Sequence, residues 1–131
     1  MKELVVDTSV WIQSFREKAP PTLAEALKGG RVILAPLVLA ELLSGIRNAS
    51  QQNKLNRFLS YIPLHPVGRA HWQKVGSLRA RLAAKGLSVS IPDCHIAQCA
   101  LECDGILMSF DKIFSKMASS ISALSIFEFS K

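Results

Sequence analysis

Short apolar runs alternate with longer amphipathic segments along this chain. The apolar runs LVV, RVILA, ILMSF and LSIFEF cover residues 4–6, 31–35, 106–110 and 124–129, and their length and β-branched content are typical of buried strands. Helical spacing of apolar positions characterises residues 8–17, 23–28, 36–47, 50–62, 69–85 and 93–104. This alternation predicts an α/β fold of three layers, in which helices cover both faces of a central, mainly parallel sheet of about four to five strands.

Local signals mark where these helices begin and end. We expect Thr22 and Ser50 to cap helix N-termini, and Pro36 to occupy the first turn of a helix, where proline is tolerated. Gly86 and Gly105 follow helical segments and are expected to end them.

The length of 131 residues predicts a single domain spanning residues 1–131. Sixteen Lys and Arg against ten Asp and Glu give a net charge of +6, which favours a polyanionic partner such as nucleic acid. The longest apolar run, from Val32 to Leu43, has 12 residues and contains Pro36 and Glu41, whereas crossing a bilayer takes about 20. We therefore expect no membrane span, no secretion signal and a cytoplasmic location.

The residues from 88 to 111 contain all three cysteines, one histidine and three aspartates, so both a soft-metal and a hard-metal site are conceivable there. Cys94 and Cys103 point in opposite directions on a helix, and His95 and Cys103 lie about 12 Å apart along its axis. Zinc bonds of about 2.0 to 2.3 Å cannot join them. At most two of these residues could share an ion, and outside this stretch the remaining candidates are His65 and His71. We expect buried, reduced thiols.

Four acids are placed differently, at the ends of predicted strands and the beginnings of helices. Asp7 ends the first strand, Glu41 lies in an apolar helix that we expect to be buried, and Asp93 opens another helix. That helix rises about 16 Å to Asp104, and the following strand returns about 20 Å to Asp111. Asp111 is therefore expected near Asp93, while Asp104 serves the distant turn.

Parallel strands bring their carboxyl ends to one edge of the sheet, so these four acids can converge there. Clustered carboxylates repel one another unless a cation neutralises them, and oxygen ligands favour Mg²⁺ or Mn²⁺. Such an ion, alone or as one of a pair, activates water for attack on a phosphodiester.

The motifs LVVDTSVWI, LAELLSG and PDCHIAQCALECDGILMSFDKIF, in this order, make the chain resemble PIN-domain nucleases, in particular the small VapC-type toxins. The resemblance covers nearly the whole chain. It implies that Asp7, Glu41, Asp93 and Asp111 are catalytic residues that bind Mg²⁺ or Mn²⁺ for RNA cleavage. Three hydroxyl residues would shape the surroundings of the metal: Thr8, Ser9 and Ser109, the last standing where the family usually has Thr.

The resemblance further implies a homodimer, a larger toxin–antitoxin assembly, and an antitoxin that covers the toxin. Trp11 and Phe15 are candidates for antitoxin binding if they are exposed; they are equally compatible with an ordinary core.

Basic residues offer candidate RNA contacts. Lys112 and Lys116 follow Asp111 directly and are the stronger candidates, whereas Lys74, Arg81 and Lys85 form a stripe on the helix of residues 69–85 that is also compatible with a solvated face. On that helix we expect a core side of Trp72, Val75, Leu78 and Leu82. Arg79 points near Trp72 and is expected to have a carboxylate or backbone partner, and His95 is not expected to touch substrate.

Together these observations favour a metal-dependent endoribonuclease that is the toxin of a type II toxin–antitoxin system. Two alternatives remain: a PIN-domain nuclease of RNA processing outside such a pair, and a non-catalytic metal- or nucleic-acid-binding module. A haloacid-dehalogenase-type phosphatase would require a second aspartate where Ser9 stands, and the paired acids and late lysine of a receiver domain are not cleanly present.

Overall fold

One parallel sheet forms the centre of the protein. The computed structural model describes residues 1–129. Its strands are β1 (Leu4–Val6), β2 (Val32–Ile33), β3 (Ile106–Met108) and β4 (Ser125–Ile126), and they are ordered β2-β1-β3-β4, with every neighbouring pair parallel. The predicted α/β architecture, with a parallel sheet flanked by helices, is confirmed. A parallel bridge between Leu34 and Leu64 extends the sheet beyond β2 by one residue pair.

The helices are α1 (Thr8–Arg16), α2 (Pro21–Lys28), α3 (Pro36–Ser44), α4 (Ala49–Leu59), α5 (Arg69–Ala84), α6 (Ile91–Glu102) and α7 (Ile113–Ser120). The pattern did not predict α7, and two predicted caps were wrong. Thr22 lies inside α2, because Pro21 provides the first helical residue. Ser50 lies inside α4, where the side chain of Asn48 caps the helix by accepting a hydrogen bond from Gln51 N at 3.0 Å.

Helix α6 is the most enclosed helix of the fold. It packs on β1 and β3 and is covered in turn by α5, so each of the seven residues from Cys94 to Ala100 is buried. A helix between a sheet and another helix has no wide solvent face, which explains why its sequence lacks a polar stripe. Within residues 1–129, no helix combines the length and the apolar character needed to cross a membrane.

The turn from α6 into β3 determines how closely β3 approaches β1. Asp104 adopts a positive φ of 50°, and a Cβ on Gly105 would lie 2.8 Å from the carbonyl oxygen of Glu3. Only glycine permits this approach without displacing backbone, and Ile106 N then donates to Glu3 O at 2.8 Å, which begins the pairing of β3 with β1. The expectation that Asp104 serves this turn is confirmed.

Candidate active site

Asp7 lies directly after β1 and its side chain is buried. Its Oδ2 atom accepts two hydrogen bonds, from Ser9 Oγ at 3.0 Å and from Ser109 Oγ at 2.7 Å. The carboxylate does not cap α1, although Asp7 is the residue before that helix. Because both hydroxyls bond the same oxygen, Asp7 is held in one orientation with Oδ1 left for another ligand.

The same two serines connect the ends of β1 and β3. Ser9 Oγ accepts from Phe110 N at 3.4 Å, and Ser109 Oγ accepts from Asp111 N at 2.9 Å. Each hydroxyl therefore donates to Asp7 and accepts from the backbone beyond β3, which uses a serine hydroxyl in both its roles. This arrangement ties the position of Asp111 to that of Asp7.

Glu41 and Asp111 lie at the surface of the site, and each has one carboxylate oxygen engaged. Glu41 Oε1 accepts from Thr8 Oγ1 at 3.0 Å, and Asp111 Oδ1 accepts from Ile113 N at 3.0 Å, at the start of α7. The expectation that Glu41 is buried was wrong, because α3 buries Val38 and Leu42 on one side and Glu41 is exposed.

Asp93 lies in the first turn of α6, half-buried, where Ser90 Oγ caps the helix by accepting from Asp93 N at 3.2 Å. Burial raises the pKa of the Asp93 carboxyl and a hydrogen bond with Ser90 opposes this. The negative charges of Asp7, Asp111 and Glu41 then raise the pKa further. The four predicted acids therefore lie within electrostatic reach of one another at the carboxyl edge of the sheet.

Among the residues that the structure describes, no basic side chain forms an ion pair with this carboxylate cluster. Among residues 1–129, the ion pairs within 4.0 Å involve Asp104 and Glu102 and none of the four acids. A buried or half-buried carboxylate without a partner is costly, so the cluster favours a cation from solution. Carboxylate oxygens suit Mg²⁺ or Mn²⁺, and Asp7, Glu41 and Asp111 each keep an oxygen that the hydrogen bonds above do not use.

The candidate RNA-binding lysines and arginine are all exposed: Lys112, Lys116, Lys74, Arg81 and Lys85. Lys112 immediately precedes α7. Lys85 Nζ donates to the carbonyl oxygen of Ser120 at 3.2 Å, so one end of the stripe is already engaged with the protein.

On α5, two expectations have different outcomes. Arg79 Nε donates to Val89 O at 2.8 Å, which confirms the predicted backbone partner. Trp72 was expected in the core and is 40% exposed, while its neighbour His71 is buried with Val75. The core-facing side of the helix is therefore rotated by one residue at this end, because His71 finds hydrogen-bonding partners in the interior.

The two aromatic residues considered for a protein partner differ. Trp11 is 1% exposed and belongs to the core, which was one of the two readings left open for it, whereas Phe15 is 48% exposed. Phe15 stands 6.0 Å from Phe58 in an edge-to-face pair. These rings line an apolar groove of about 360 Å³ between α1, α2 and α4, and a second groove of about 250 Å³ joins Phe15 to Glu41.

A second polar cluster, which sequence reasoning did not assemble, lies along α6 from His95 to Glu102. Glu102 Oε1 accepts from His65 Nε2 at 2.7 Å and from His71 Nδ1 at 2.9 Å, and His71 Nε2 is 2.8 Å from His95 Nδ1. Cys99 Sγ lies 3.8 Å from His95 Nε2. His95 is fully buried, which agrees with the expectation that it does not touch substrate.

These contacts shift several pKa values. Burial raises the pKa of Glu102, but the hydrogen bonds from His65, His71 and Gln98 outweigh it and lower the pKa to about 2. Burial lowers the pKa of His95 to about 4 and raises that of Cys99 to about 12. The signal in the sequence was Glu102, one turn after Cys99, which a helical wheel would have placed beside the histidine and cysteine positions.

Comparison with protein families and with solved structures gives consistent results. The PIN domain model matches residues 4–120. The fold is similar to a chain of VapBC2 from Rickettsia felis bound to a DNA fragment from their promoter, with a TM-score of 0.74, 23% identity and coverage of 97% of this chain and 98% of that one. DNA-bound VapBC from Salmonella typhimurium gives a TM-score of 0.75, also at 23% identity, covering 97% and 98% of the two chains.

VapBC-5 from Mycobacterium tuberculosis, a member of the VapBC family of toxin–antitoxin systems, matches with a TM-score of 0.70 at 23% identity and covers 98% of this chain and 100% of its own. At such identities the likeness establishes a shared fold. No curated protein sequence matches the chain.

Proposed function

This chain belongs to the PIN-domain family, and on that premise we propose that it is an Mg²⁺- or Mn²⁺-dependent endoribonuclease that serves as the toxin of a type II toxin–antitoxin pair. One observation carries the proposal: at the carboxyl edge of the sheet, the charges of Asp7, Glu41 and Asp111 reach Asp93, and none of the four acids has a basic partner among residues 1–129. A cation bound by these acids would remove their mutual repulsion.

Each residue has a separate task in this proposal. Asp7, Glu41 and Asp111 offer their unengaged oxygens, and Asp93 contributes its carboxylate from the first turn of α6. Thr8, Ser9 and Ser109 hold their acceptors in place, as outer hydrogen-bonding partners do in metal sites. When bound, the ion supplies activation of water and stabilisation of charge on the phosphodiester. Lys112, beside Asp111, is proposed to hold the RNA backbone near this site.

The toxin assignment rests on different support. The similar solved folds come from VapBC systems, and the groove beside Phe15 and Phe58 presents apolar side chains that a partner segment would cover. We propose that a cognate antitoxin binds there and that the toxin forms a homodimer, alone or inside a larger assembly. An RNA-processing PIN nuclease would share the chemistry and lack the antitoxin.

Cleavage of a labelled RNA by the purified full chain tests the nuclease. We expect activity with Mg²⁺ or Mn²⁺, none in excess EDTA, and a loss of about 100-fold or more in Asp93→Asn. The matched control is Asp104→Asn, since Asp104 lies at the opposite end of α6 and is exposed; it should cleave as the wild type does. Undiminished cleavage in EDTA or by folded Asp93→Asn would exclude the proposed mechanism.

Growth on induced expression tests the toxin role. Wild-type chain should arrest growth, Asp93→Asn should not, and co-expression of the small protein encoded beside it should restore growth. Phe58→Asp should prevent that rescue while leaving RNA cleavage intact, because Phe58 lines the apolar groove and does not line the second groove that contains Glu41. If no neighbouring gene product relieves the arrest, the RNA-processing alternative is favoured.

A further inference from the structure

The chain has three histidines, and all three lie on or against α6 between His95 and Glu102. His65 follows the bridge between Leu34 and Leu64, His71 lies in the first turn of α5, and His95 lies on α6; their exposures are 7%, 4% and 0%. Separate segments thus bring imidazoles into one buried region. Histidine is only moderately common in protein interiors, so this convergence calls for a physical explanation.

The spacing of the possible metal-ligand atoms supplies a physical explanation for this convergence. Among residues 1–129, only His65, His71 and Cys99 form a set of three or more His, Cys, Asp or Glu residues whose ligand atoms all lie within 4.8 Å of one another. Zinc bonds of about 2.0 to 2.3 Å in a tetrahedron place neighbouring ligand atoms about 3.3 to 3.6 Å apart. A contraction of roughly 1 Å would therefore suffice. We propose that His65, His71 and Cys99 form a second metal site that binds one Zn²⁺.

The chemistry of the donors selects this class of ion. Two imidazole nitrogens and a thiolate sulfur suit a borderline-soft metal with tetrahedral geometry, whereas Mg²⁺ prefers oxygen. The carboxylate cluster and the histidine–cysteine site therefore do not compete for the same metal. They are also separated along α6, because Cys99 lies six residues, or about 9 Å along the axis, beyond Asp93.

Glu102 has the position of an outer carboxylate. It lies outside the set of three, and yet its Oε1 atom bonds a ring nitrogen of both His65 and His71. Such a carboxylate orients the rings of metal-binding histidines. Gln98 Nε2 donates to the other oxygen of Glu102 at 3.0 Å and fixes it in turn. Zinc would replace one of the two hydrogen bonds that His71 now makes.

Charge balances in the loaded site. The Cys99 thiol forms a sulfur–zinc bond and loses its proton to solvent, so that thiolate and Glu102 carboxylate together carry two negative charges against the two positive charges of Zn²⁺. This neutrality matters because the site is buried. The ion would join α5, α6 and the segment that carries His65, and would stabilise the folded state by its binding free energy. The side chain of Glu102, 19% exposed, marks the route from solvent.

The site is tested by titrating Zn²⁺ into the full chain after a chelator has removed bound metal. Excess Mg²⁺ occupies the four acids, and a chromophore that competes with the protein for Zn²⁺ reports the affinity. We expect one equivalent of Zn²⁺ and release of the thiol proton. Glu102→Gln should weaken binding about 10- to 100-fold, as outer carboxylates do, and Cys99→Ser should weaken it by more than about 100-fold. Cys94→Ser is the matched control, because Cys94 is equally buried on the same helix and lies outside the set; its affinity should equal that of the wild type.

X-ray absorption on the zinc-loaded wild type gives a second readout that needs no variant. One sulfur at about 2.3 Å and nitrogen neighbours at about 2.0 to 2.1 Å are expected. A shell of oxygen and nitrogen alone, or unchanged affinity in folded Cys99→Ser, would overturn the proposal. RNA cleavage with Mg²⁺ is measured in parallel: its absence in a protein that binds Zn²⁺ as expected would contradict only the nuclease proposal.

Discussion

At the N-terminal end of α6, Asp93 meets three other carboxylates that no basic side chain among residues 1–129 neutralises. Toward the C-terminal end of the same helix, Glu102 accepts hydrogen bonds from two histidines and a glutamine. The first cluster leaves carboxylate oxygens unengaged and negative charge unbalanced, and therefore favours a cation from solution. The second satisfies its own polar groups. A single buried helix thus carries one polar cluster whose negative charge is unbalanced and another whose central carboxylate is already hydrogen-bonded before any ion binds.

The largest difference between the effect on stability and the effect on RNA cleavage is expected from Asp7→Asn. Removing one of four like charges should leave the free energy of unfolding in metal-free buffer unchanged or raise it by up to about 1 kcal/mol, while RNA cleavage falls about 100-fold or more. Asparagine can still accept from Ser9 and Ser109. Chemical denaturation and a single-turnover cleavage assay measure the two effects, and a stability loss beyond about 2 kcal/mol would show that the acidic cluster is structural.

Glu102→Gln should reduce stability and leave RNA cleavage almost unchanged. Its amide would turn a donor toward histidine nitrogens that now bond a carboxylate, and losing hydrogen bonds to a charged group should cost about 2 to 4 kcal/mol in metal-free buffer. Cleavage per folded molecule should remain within about twofold. Glu25→Gln, on the exposed side of α2, should change stability by less than about 0.5 kcal/mol. Equal losses in both variants would mean that the histidine contacts add nothing.

Acid should change the stability contributions of the histidine cluster and of the carboxylate cluster with opposite signs. His95 is held neutral in the folded state, with its pKa lowered to about 4 by burial and by the charges of His71 and His65. The unfolded chain binds this proton at about pH 6.5, so stability falls as pH drops from 6.5 to 4, by on the order of 3 kcal/mol. Below about pH 4.5, Glu102 adds to the loss, since its folded pKa is about 2.

Asp93 works the other way, because its folded pKa is raised and protonation at falling pH relieves an unfavourable charge. Denaturation at successive pH values should give a shallower slope between pH 6.5 and 4 in His95→Asn. In Asp93→Asn the loss should be steeper as pH falls toward 3.8, the ordinary pKa of the carboxyl, because the stabilising protonation of Asp93 is then missing. Parallel curves for wild type and His95→Asn would exclude His95 as the titrating group.

The smallest effect is expected at Ser109. Ser109→Ala removes one of two hydrogen bonds to Asp7 Oδ2 and leaves Asp111 N without its acceptor, so cleavage should fall by about tenfold. Ser109→Thr keeps the hydroxyl and should recover most of the rate. Steady-state kinetics distinguish the two, and equal rates in both variants would show that the hydroxyl does not position the acid.

Much of this arrangement could be predicted from local sequence. The alternation of apolar runs and helical spacing predicted the parallel sheet, and the different rise of helix and strand placed Asp111 near Asp93. Both inferences depend on backbone geometry, which a few residues determine. The metal-binding roles of the four acids are not established by this and stay a prediction.

The errors arose where tertiary contacts override local pattern. Helix α7 begins where Asp111 Oδ1 accepts a hydrogen bond from Ile113 N. Its apolar residues do have helical spacing, with Phe114 and Met117 buried, but eight residues are too short a segment to separate a helix from other structure by pattern alone. His71 displaced Trp72 from the core because partners from α6 and the His65 segment meet it there, and no calculation on one helix reveals partners on others. Glu41 was expected inside an apolar helix, although the structure buries only one side of α3.

The pairing of β1 with β3 has a consequence for the timing of synthesis. Val6 pairs with Met108, so more than a hundred further residues must be translated after Asp7 before Ser109 and Asp111 can reach it. Long-range parallel pairing of this kind forms late in folding. A nascent chain on the ribosome therefore carries Asp7 without Ser109 and Asp111, and the four acids can come together only after residue 111 has emerged.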